Sequence, residues 1–230
     1  MNTLAAIVPF YNEEKFLRKS VERVLEIKDI NTIYLINDGS KDNSLDIANQ
    51  LVLENTNIKL LSSDINSGKG NALNLVRKYI ETSHVIIHDA DLEYFPEDIQ
   101  GMFELSQNNP TALILGTRFR GYKDRKNLYT RTLIANKLLS TLFSVIHFRK
   151  ISDIATCYKL MPTSYFKYQE INEKGFSIEV ELLAKFIKTK KSIIEFPISY
   201  EGRSYEEGKK IGLKDGFSFI FTIFKYRIIK

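Results

Sequence analysis

At 230 residues, with 43% hydrophobic and 27% charged side chains, the chain can bury a sizeable core, which excludes a disordered or fibrous protein. Its formal net charge of +5 favours anionic partners such as nucleotide phosphates or an anionic membrane surface. The basic residues form no compact block, so nucleic acid is not the expected partner. The single cysteine, Cys157, rules out an internal disulfide framework and a cysteine zinc site, and His84, His88 and His147 lack metal-ligand spacing.

In chain order, the apolar run Leu4 to Val8, ended by Pro9, predicts a first buried strand. Phe16 to Ile27 has helical spacing, Thr32 to Ile36 predicts a second strand, Asn43 to Leu53 a second helix and Ile58 to Leu61 a third strand. A glycine turn, Ser67-Gly68-Lys69-Gly70, leads into a helix from about Ala72 to Ile80. Val85-Ile86-Ile87 is a further strand, and a helix is expected from about Pro96. Strands alternating with helices predict βαβ units and a mainly parallel sheet. From Ala112 the pattern changes. A strand at Ala112 to Gly116 is followed by a polar, basic loop over Gly121 to Arg131 and an apolar segment from Leu133 to Phe148. Asp153 to Leu160 carries no clear period; then come a helix over Ile178 to Lys188, a strand over Ser192 to Phe196 and an apolar tail from Leu213. The whole of 1–230 is expected to be one domain, with a nucleotide-binding half at 1–110 and an acceptor half at 111–230.

The chemistry concentrates at Asp89-Ala90-Asp91-Leu92-Glu93, directly after a strand. Open α/β sheets bind ligands at the carboxyl ends of their strands. Paired carboxylates there repel unless a cation lies between them, and hard cations such as Mg2+ and Mn2+ take carboxylate and phosphate oxygens. Taken alone, the same stretch is also a solvated acidic turn before a helix. Asp38 follows a strand in the same way and suits either a helix cap or a hydrogen bond to a base or ribose. Ser67 to Gly70 could turn backbone N–H groups and the Lys69 ammonium towards a nucleotide, but forms neither a Walker loop nor a dinucleotide fingerprint.

Val8-Pro9-Phe10-Tyr11-Asn12-Glu13-Glu14, Asp38-Gly39-Ser40 with Asp42, Gly68-Lys69-Gly70 with Ala72, and Asp89-Ala90-Asp91 stand in the order and spacing of family 2 glycosyltransferases. The chain resembles that family over nearly its whole length, and most closely its polyprenyl-phosphate, dolichol-phosphate mannose synthase-like subgroup. Gly116-Thr117-Arg118, Asp153 with Cys157-Tyr158-Lys159, and Arg203 with Gly208-Lys209 carry the finer likeness. The resemblance implies an α/β GT-A fold, a Rossmann-like mainly parallel sheet flanked by helices, with amphipathic helices towards the carboxyl end. It implies an inverting transferase that uses a nucleotide-diphosphate sugar (GDP- or UDP-linked) and Mg2+ or Mn2+. Carried onto this chain, Pro9, Tyr11 and Glu13 line the nucleoside, and Asp38, Lys69 and Asp89 contact the base or ribose. Asp89, Asp91 and Glu93 serve the metal, with Glu93 standing where many relatives have glutamine. Arg203 pairs with a donor phosphate, and Arg118 and Arg131 are expected to meet an acceptor phosphate. Asp91, Asp153 and Arg203 form the expected catalytic set.

A phosphate acceptor is already anionic near neutral pH, whereas a sugar hydroxyl needs a base. Asp153 is the resemblance's candidate for that base, with Glu179 and Glu181 behind it. The preferred acceptor is a polyprenyl phosphate; the rivals are a saccharide hydroxyl and a nucleotide-sugar-binding module without turnover. A nucleotidyltransferase would place a glycine-rich basic loop after the first strand, where Pro9 to Glu14 stands here. The segments Leu133–Phe148 and Phe217–Phe224 are too short to span a bilayer. They suit either core helices or interfacial helices beside anionic headgroups. With no signal peptide expected at the amino end, the expected location is cytoplasmic and peripheral on the membrane face.

Overall fold

Leu4–Phe10 forms strand β1, in which every residue except Pro9 is buried. Such a run has two apolar faces and must be covered on both. The computed structural model describes residues 2–121, 123–126, 130–203 and 213–229, with the side chains of 130, 131 and 213–215 outside the description. Helix α1 (Leu17–Leu25) crosses from β1 to the parallel β2 (Ile30–Asp38), and α2 (Ser44–Glu54) crosses to the parallel β3 (Ile58–Ser63). Helix α3 (Lys69–Val76), extended by a 3-10 turn over Arg77–Tyr79, returns to β4 (His84–Ile87) on the other side of β1. Helix α4 (Glu97–Asn108) leads to β5 (Leu113–Thr117).

The later elements are a two-residue β6 (Arg125–Lys126), α5 (Thr130–His147), β7 (Lys159–Pro162), α6 (Thr163–Tyr168), α7 (Ile178–Lys188), β8 (Ile193–Pro197), β9 (Tyr200–Glu201) and α8 (Leu213–Ile228). The main sheet has seven strands in the order β3-β2-β1-β4-β7-β5-β8. Only β7 runs against its neighbours: it pairs antiparallel with both β4 and β5, while β5 and β8 are parallel. A second small sheet pairs β6 with β9, and an isolated bridge ties Tyr94 to Tyr200.

Side chains alternate across the sheet as the strand period requires. Ala5, Ile7, Tyr34 and Ile36 pack with α3, α7 and the inner sides of α5 and α8. Leu4, Ala6, Val8, Ile33 and Leu35 pack with α1, α2 and α4. Both layers meet β4, so the carboxyl end of β4 emerges at the middle of the sheet.

The expected strands lie where the sequence placed them, within two residues at each end. Helix α3 begins three residues before the expected Ala72. Gly68 precedes it at φ +91°, and a Cβ there would lie 2.3 Å from the Lys174 carbonyl oxygen, so only glycine fits this turn. The two apolar segments are half core and half surface. Phe143 on α5 and Phe219, Ile223 and Tyr226 on α8 are buried, while Ile134, Leu138, Val145, Phe217, Phe221, Phe224 and Ile228 are exposed.

Candidate active site

Strand β4 ends at Ile87 and delivers Asp89, Asp91 and Glu93 to the carboxyl edge of the sheet. Leu92 adopts φ +63°, a region few residues other than glycine enter, and this turn carries the chain from Asp91 to Glu93. Asp91 Oδ1 accepts from the Glu93 amide at 3.1 Å. Burial pushes the Asp91 carboxyl up to about 8; the charges of Glu93 and Asp89 add to this and Arg203 opposes it. Excess negative charge at a cleft floor is the condition a cation relieves. Among the described residues, no three His, Cys, Asp or Glu side chains are arranged to hold a metal by themselves.

Lys69, at the start of α3, donates from Nζ to Asp89 Oδ1 at 2.6 Å and to Glu179 Oε1 at 2.8 Å. Glu179 also takes the ammonium of Lys159, a fully buried residue of β7. Two carboxylates and two ammonium groups thus alternate beneath the cleft. Burial disfavours the charged Lys69, but Asp89 and Glu179 outweigh it and hold its pKa well above the ordinary value. Burial likewise works against the Asp89 anion, and the adjacent Lys69 more than offsets it, so its pKa is lowered. Asp89 is therefore ionised and already half neutralised.

Arg203 lies over the carboxylates. Its Nε donates to the Asp91 carbonyl oxygen at 2.8 Å, its Nη2 donates to Glu13 Oε2 at 2.8 Å, and its guanidinium sits 4.3 Å from the Phe16 ring centre. Glu13 is held in turn by its own amide, which donates to Ser44 Oγ at 2.8 Å. The loops after β1 and β9 thus close on the loop after β4. Both Glu93 oxygens are engaged: Oε1 accepts from the Arg203 amide at 2.8 Å and Oε2 accepts from the Tyr200 hydroxyl.

Asp38 braces the glycine turn. Its two oxygens accept from the Ser67 and Gly68 amides at 2.9 and 2.8 Å. This is cap chemistry of the kind the sequence left open, reached across 30 residues rather than within the next helix. Pro9 and Tyr11 lie half-buried at the end of β1 and in the loop after it.

Arg118 is buried, with Nε 2.8 Å from Asp153 Oδ2 and Nη2 2.8 Å from Asp153 Oδ1, while its amide also donates to Oδ2, so an incoming phosphate would compete with an ion pair already made. By the same bonds Asp153 is not a free base, because both of its oxygens are taken. Burial disfavours the Arg118 cation, Asp153 outweighs it, and the arginine pKa stands well above its ordinary value. Glu179 and Glu181, the other base candidates, are equally engaged. Glu181 accepts from the Asn172 and Glu173 amides and from Lys185. The Arg131 side chain and Gly208-Lys209 lie outside the described residues.

Residues 5–168 match the model of Glycosyl transferase family 2. The chain belongs to glycosyltransferase family 2. Among curated relatives, this glycosyltransferase is 25% identical to the UDP-N-acetylglucosamine–dolichyl-phosphate N-acetylglucosaminyltransferase of Methanococcus voltae, over 97% of this chain and 96% of that protein. It is 30% identical to a dolichyl-phosphate beta-glucosyltransferase of Trichomonas vaginalis, over 82% of this chain and 63% of that one. Its fold matches glucosyl-3-phosphoglycerate synthase of Mycobacterium tuberculosis, solved with Mn2+, UDP and glucosyl-3-phosphoglycerate. The TM-score is 0.76 at 14% identity, covering all of this chain and 81% of that one. The glycosyltransferase therefore has the GT-A fold.

Several residues that shape the site of the glycosyltransferase were given no role by the sequence. Tyr200 ties Glu93 to β9, and the Cys157 amide donates to the Tyr94 hydroxyl at 3.1 Å. Lys159 gave one signal: a lysine leading into Leu160-Met161, inside an apolar strand, must find a carboxylate or remain an uncompensated buried charge. His88, which opens the acidic motif, is structural. Its ring bonds Ser20 and Tyr158 at 3.1 and 3.0 Å, and burial lowers its pKa to about 4.

Proposed function

We propose that this glycosyltransferase moves a sugar from a nucleoside-diphosphate donor to a polyprenyl phosphate at a membrane surface. The observation that carries the acceptor choice is the state of the candidate bases. Asp153, Glu179 and Glu181 are each bound on both oxygens by cations or amide donors. A sugar hydroxyl would need one of them free, whereas a phosphate arrives as the anion. The relatives named for dolichyl phosphate support the same reading.

Asp89 and Asp91 are the proposed metal ligands. Their fit rests on the half-buried, mutually repelling carboxyls described above. When bound, Mg2+ or Mn2+ would supply Lewis-acid neutralisation of the leaving diphosphate. The neighbour solved with Mn2+ and UDP supports a UDP-linked donor and Mn2+. Glu13, with Pro9, Tyr11 and Asp38, would border the nucleoside, Lys69 would keep Asp89 ionised, and Arg203 would meet the diphosphate. Arg131 remains the proposed contact for the acceptor phosphate. A donor screen against polyprenyl phosphate with either metal, with products identified by mass spectrometry, tests the activity; transfer to saccharides alone would reject it.

Arg203→Ala is expected to lower kcat by roughly 10- to 100-fold, the worth of one charge-assisted hydrogen bond. The donor KM should move less, because a loop cation over the diphosphate counts most as charge builds on the leaving group. An unchanged kcat with a raised KM would mean that Arg203 only binds donor.

The membrane contact is proposed from the helical stripes. Ile134, Leu138 and Val145 recur along one line of α5, with Phe148 just beyond it, and Phe217, Phe221, Phe224 and Ile228 along one line of α8, all exposed. Arg149 and Lys150 stand beside Phe148, and Arg227 lies 5.2 Å over its ring. Among the described residues no helix is long and apolar enough to cross a membrane. The proposed contact is a peripheral one on the cytoplasmic face, made through these exposed stripes. Binding to vesicles with anionic lipid is expected, weakening as salt rises towards roughly 0.5 M, where screening shortens to a few ångströms. Phe221→Asp with Leu138→Asp should abolish sedimentation with vesicles; sedimentation equal to that of the unaltered protein would reject the surface.

A further inference from the structure

Glu93 stands two residues beyond Asp91, and its carboxylate is engaged by donors of its own. The carbonyl oxygen of Glu93 accepts from the Glu201 amide at 2.9 Å. Its two carboxylate oxygens accept from the Arg203 amide and the Tyr200 hydroxyl. All three bonds go to one short segment, residues 200–203, and the first of them belongs to the antiparallel bridge between Tyr94 and Tyr200. Tyr200 is itself fixed. The Arg118 guanidinium lies 4.8 Å from its ring centre, and the Tyr94 ring meets it edge-on at 5.2 Å. A tyrosine held on two sides has no freedom to withdraw its hydroxyl.

The segment so fastened ends in Arg203, whose guanidinium spans from the Asp91 carbonyl to Glu13. Resting on the reading of Arg203 as the diphosphate-facing cation, we infer that Glu93 is a positioning residue: it latches the 200–203 strap over the cleft, and Asp89 and Asp91 hold the metal without it. A carboxylate does this better than a neutral group, since amide and hydroxyl donors bind an anion more strongly. A metal drawn to Glu93 would compete with these two donors for its oxygens and weaken the hold on the strap.

The test uses the full-length protein with Glu93→Ala, Glu93→Gln and Tyr200→Phe. Amide hydrogen exchange is read over residues 199–203, and Mn2+ affinity is measured without donor or acceptor. Glu93→Ala should speed exchange at Glu201 and Arg203 by about tenfold or more. Its Mn2+ dissociation constant should stay within about threefold of the unaltered protein's. Glu93→Gln should restore protection, because its amide oxygen accepts from the Arg203 amide while its NH2 donates to the Tyr200 oxygen. Tyr200→Phe should loosen the strap more mildly, and it carries the test should Glu93→Ala fail to fold. Unchanged exchange in Glu93→Ala and Tyr200→Phe overturns the latch, and so does a tenfold loss of Mn2+ affinity in Glu93→Ala. Neither measurement requires turnover. Faster exchange with intact Mn2+ binding in a protein that transfers no sugar would sustain the latch and reject the proposed activity instead.

Discussion

Asp91→Asn is expected to lower kcat by about 10²- to 10³-fold while leaving the fold intact. The amide keeps the oxygen that accepts from the Glu93 amide but removes the charge that would face a cation. The stability effect has the opposite sign to the activity effect. The folded Asp91 carboxyl titrates near 8, above its unfolded value of 3.8, so between those pH values the folded chain holds the extra proton. Metal-free stability owed to this group therefore falls as pH rises through that window. An asparagine at this position would escape the penalty, and metal-free Asp91→Asn should melt at or above the temperature of the parent at pH 8. Added Mn2+ competes with the proton, so it should raise the parent's melting temperature more at pH 8 than at pH 6. The variant should show little of this rise. Full activity in Asp91→Asn, or in excess chelator, would sink the metal assignment.

Arg118→Ala is expected to destabilise the protein by about 3–5 kcal/mol, because Asp153 would be left buried without its partner. For a chain of this size that is a fall in melting temperature on the order of 10 °C. Replacing both partners, with Arg118→Met and Asp153→Leu, should recover most of the loss, as apolar groups of similar volume need no compensation. Thermal melts of both variants beside the unaltered protein measure this directly. A stable Arg118→Ala that loses only transfer to polyprenyl phosphate would return Arg118 to the acceptor site and overturn its reading as a core residue.

The contrast between Asp91 and Arg118 marks how far the sequence could be followed. The strand-end acids were legible because they follow Val85-Ile86-Ile87, a short β-branched run that reads as a buried strand. The alternating first half was legible for the same reason. Strand β7 was not: Lys159-Leu160-Met161-Pro162 is four residues long and begins with a lysine, and its place between β4 and β5 depends on pairings made across more than 40 residues. Side-chain partners were hidden in the same way. Arg118 looks identical in sequence whether it meets a phosphate or Asp153. Glu93 looks like a third metal acid until Tyr200 and Arg203, more than 100 residues away, are brought against it.

The placement of β7 also governs the order in which the molecule can be assembled. Strands β1 to β4 are joined by local crossovers and can close as soon as they leave the ribosome. The open edge of β4, however, waits for Met161 and Leu160, some 75 residues later in synthesis. During that interval an apolar edge strand that leads into Asp89 and Asp91 faces solvent, the kind of surface on which nascent chains misassociate. When β7 arrives it completes the two-sided pairing of β4, and Lys159 then meets Glu179, 20 residues further along the chain. Maturation of the charge pattern under the cleft is thereby tied to closure of the sheet, and a chain arrested before Pro162 would hold the carboxylates without the frame that sets them.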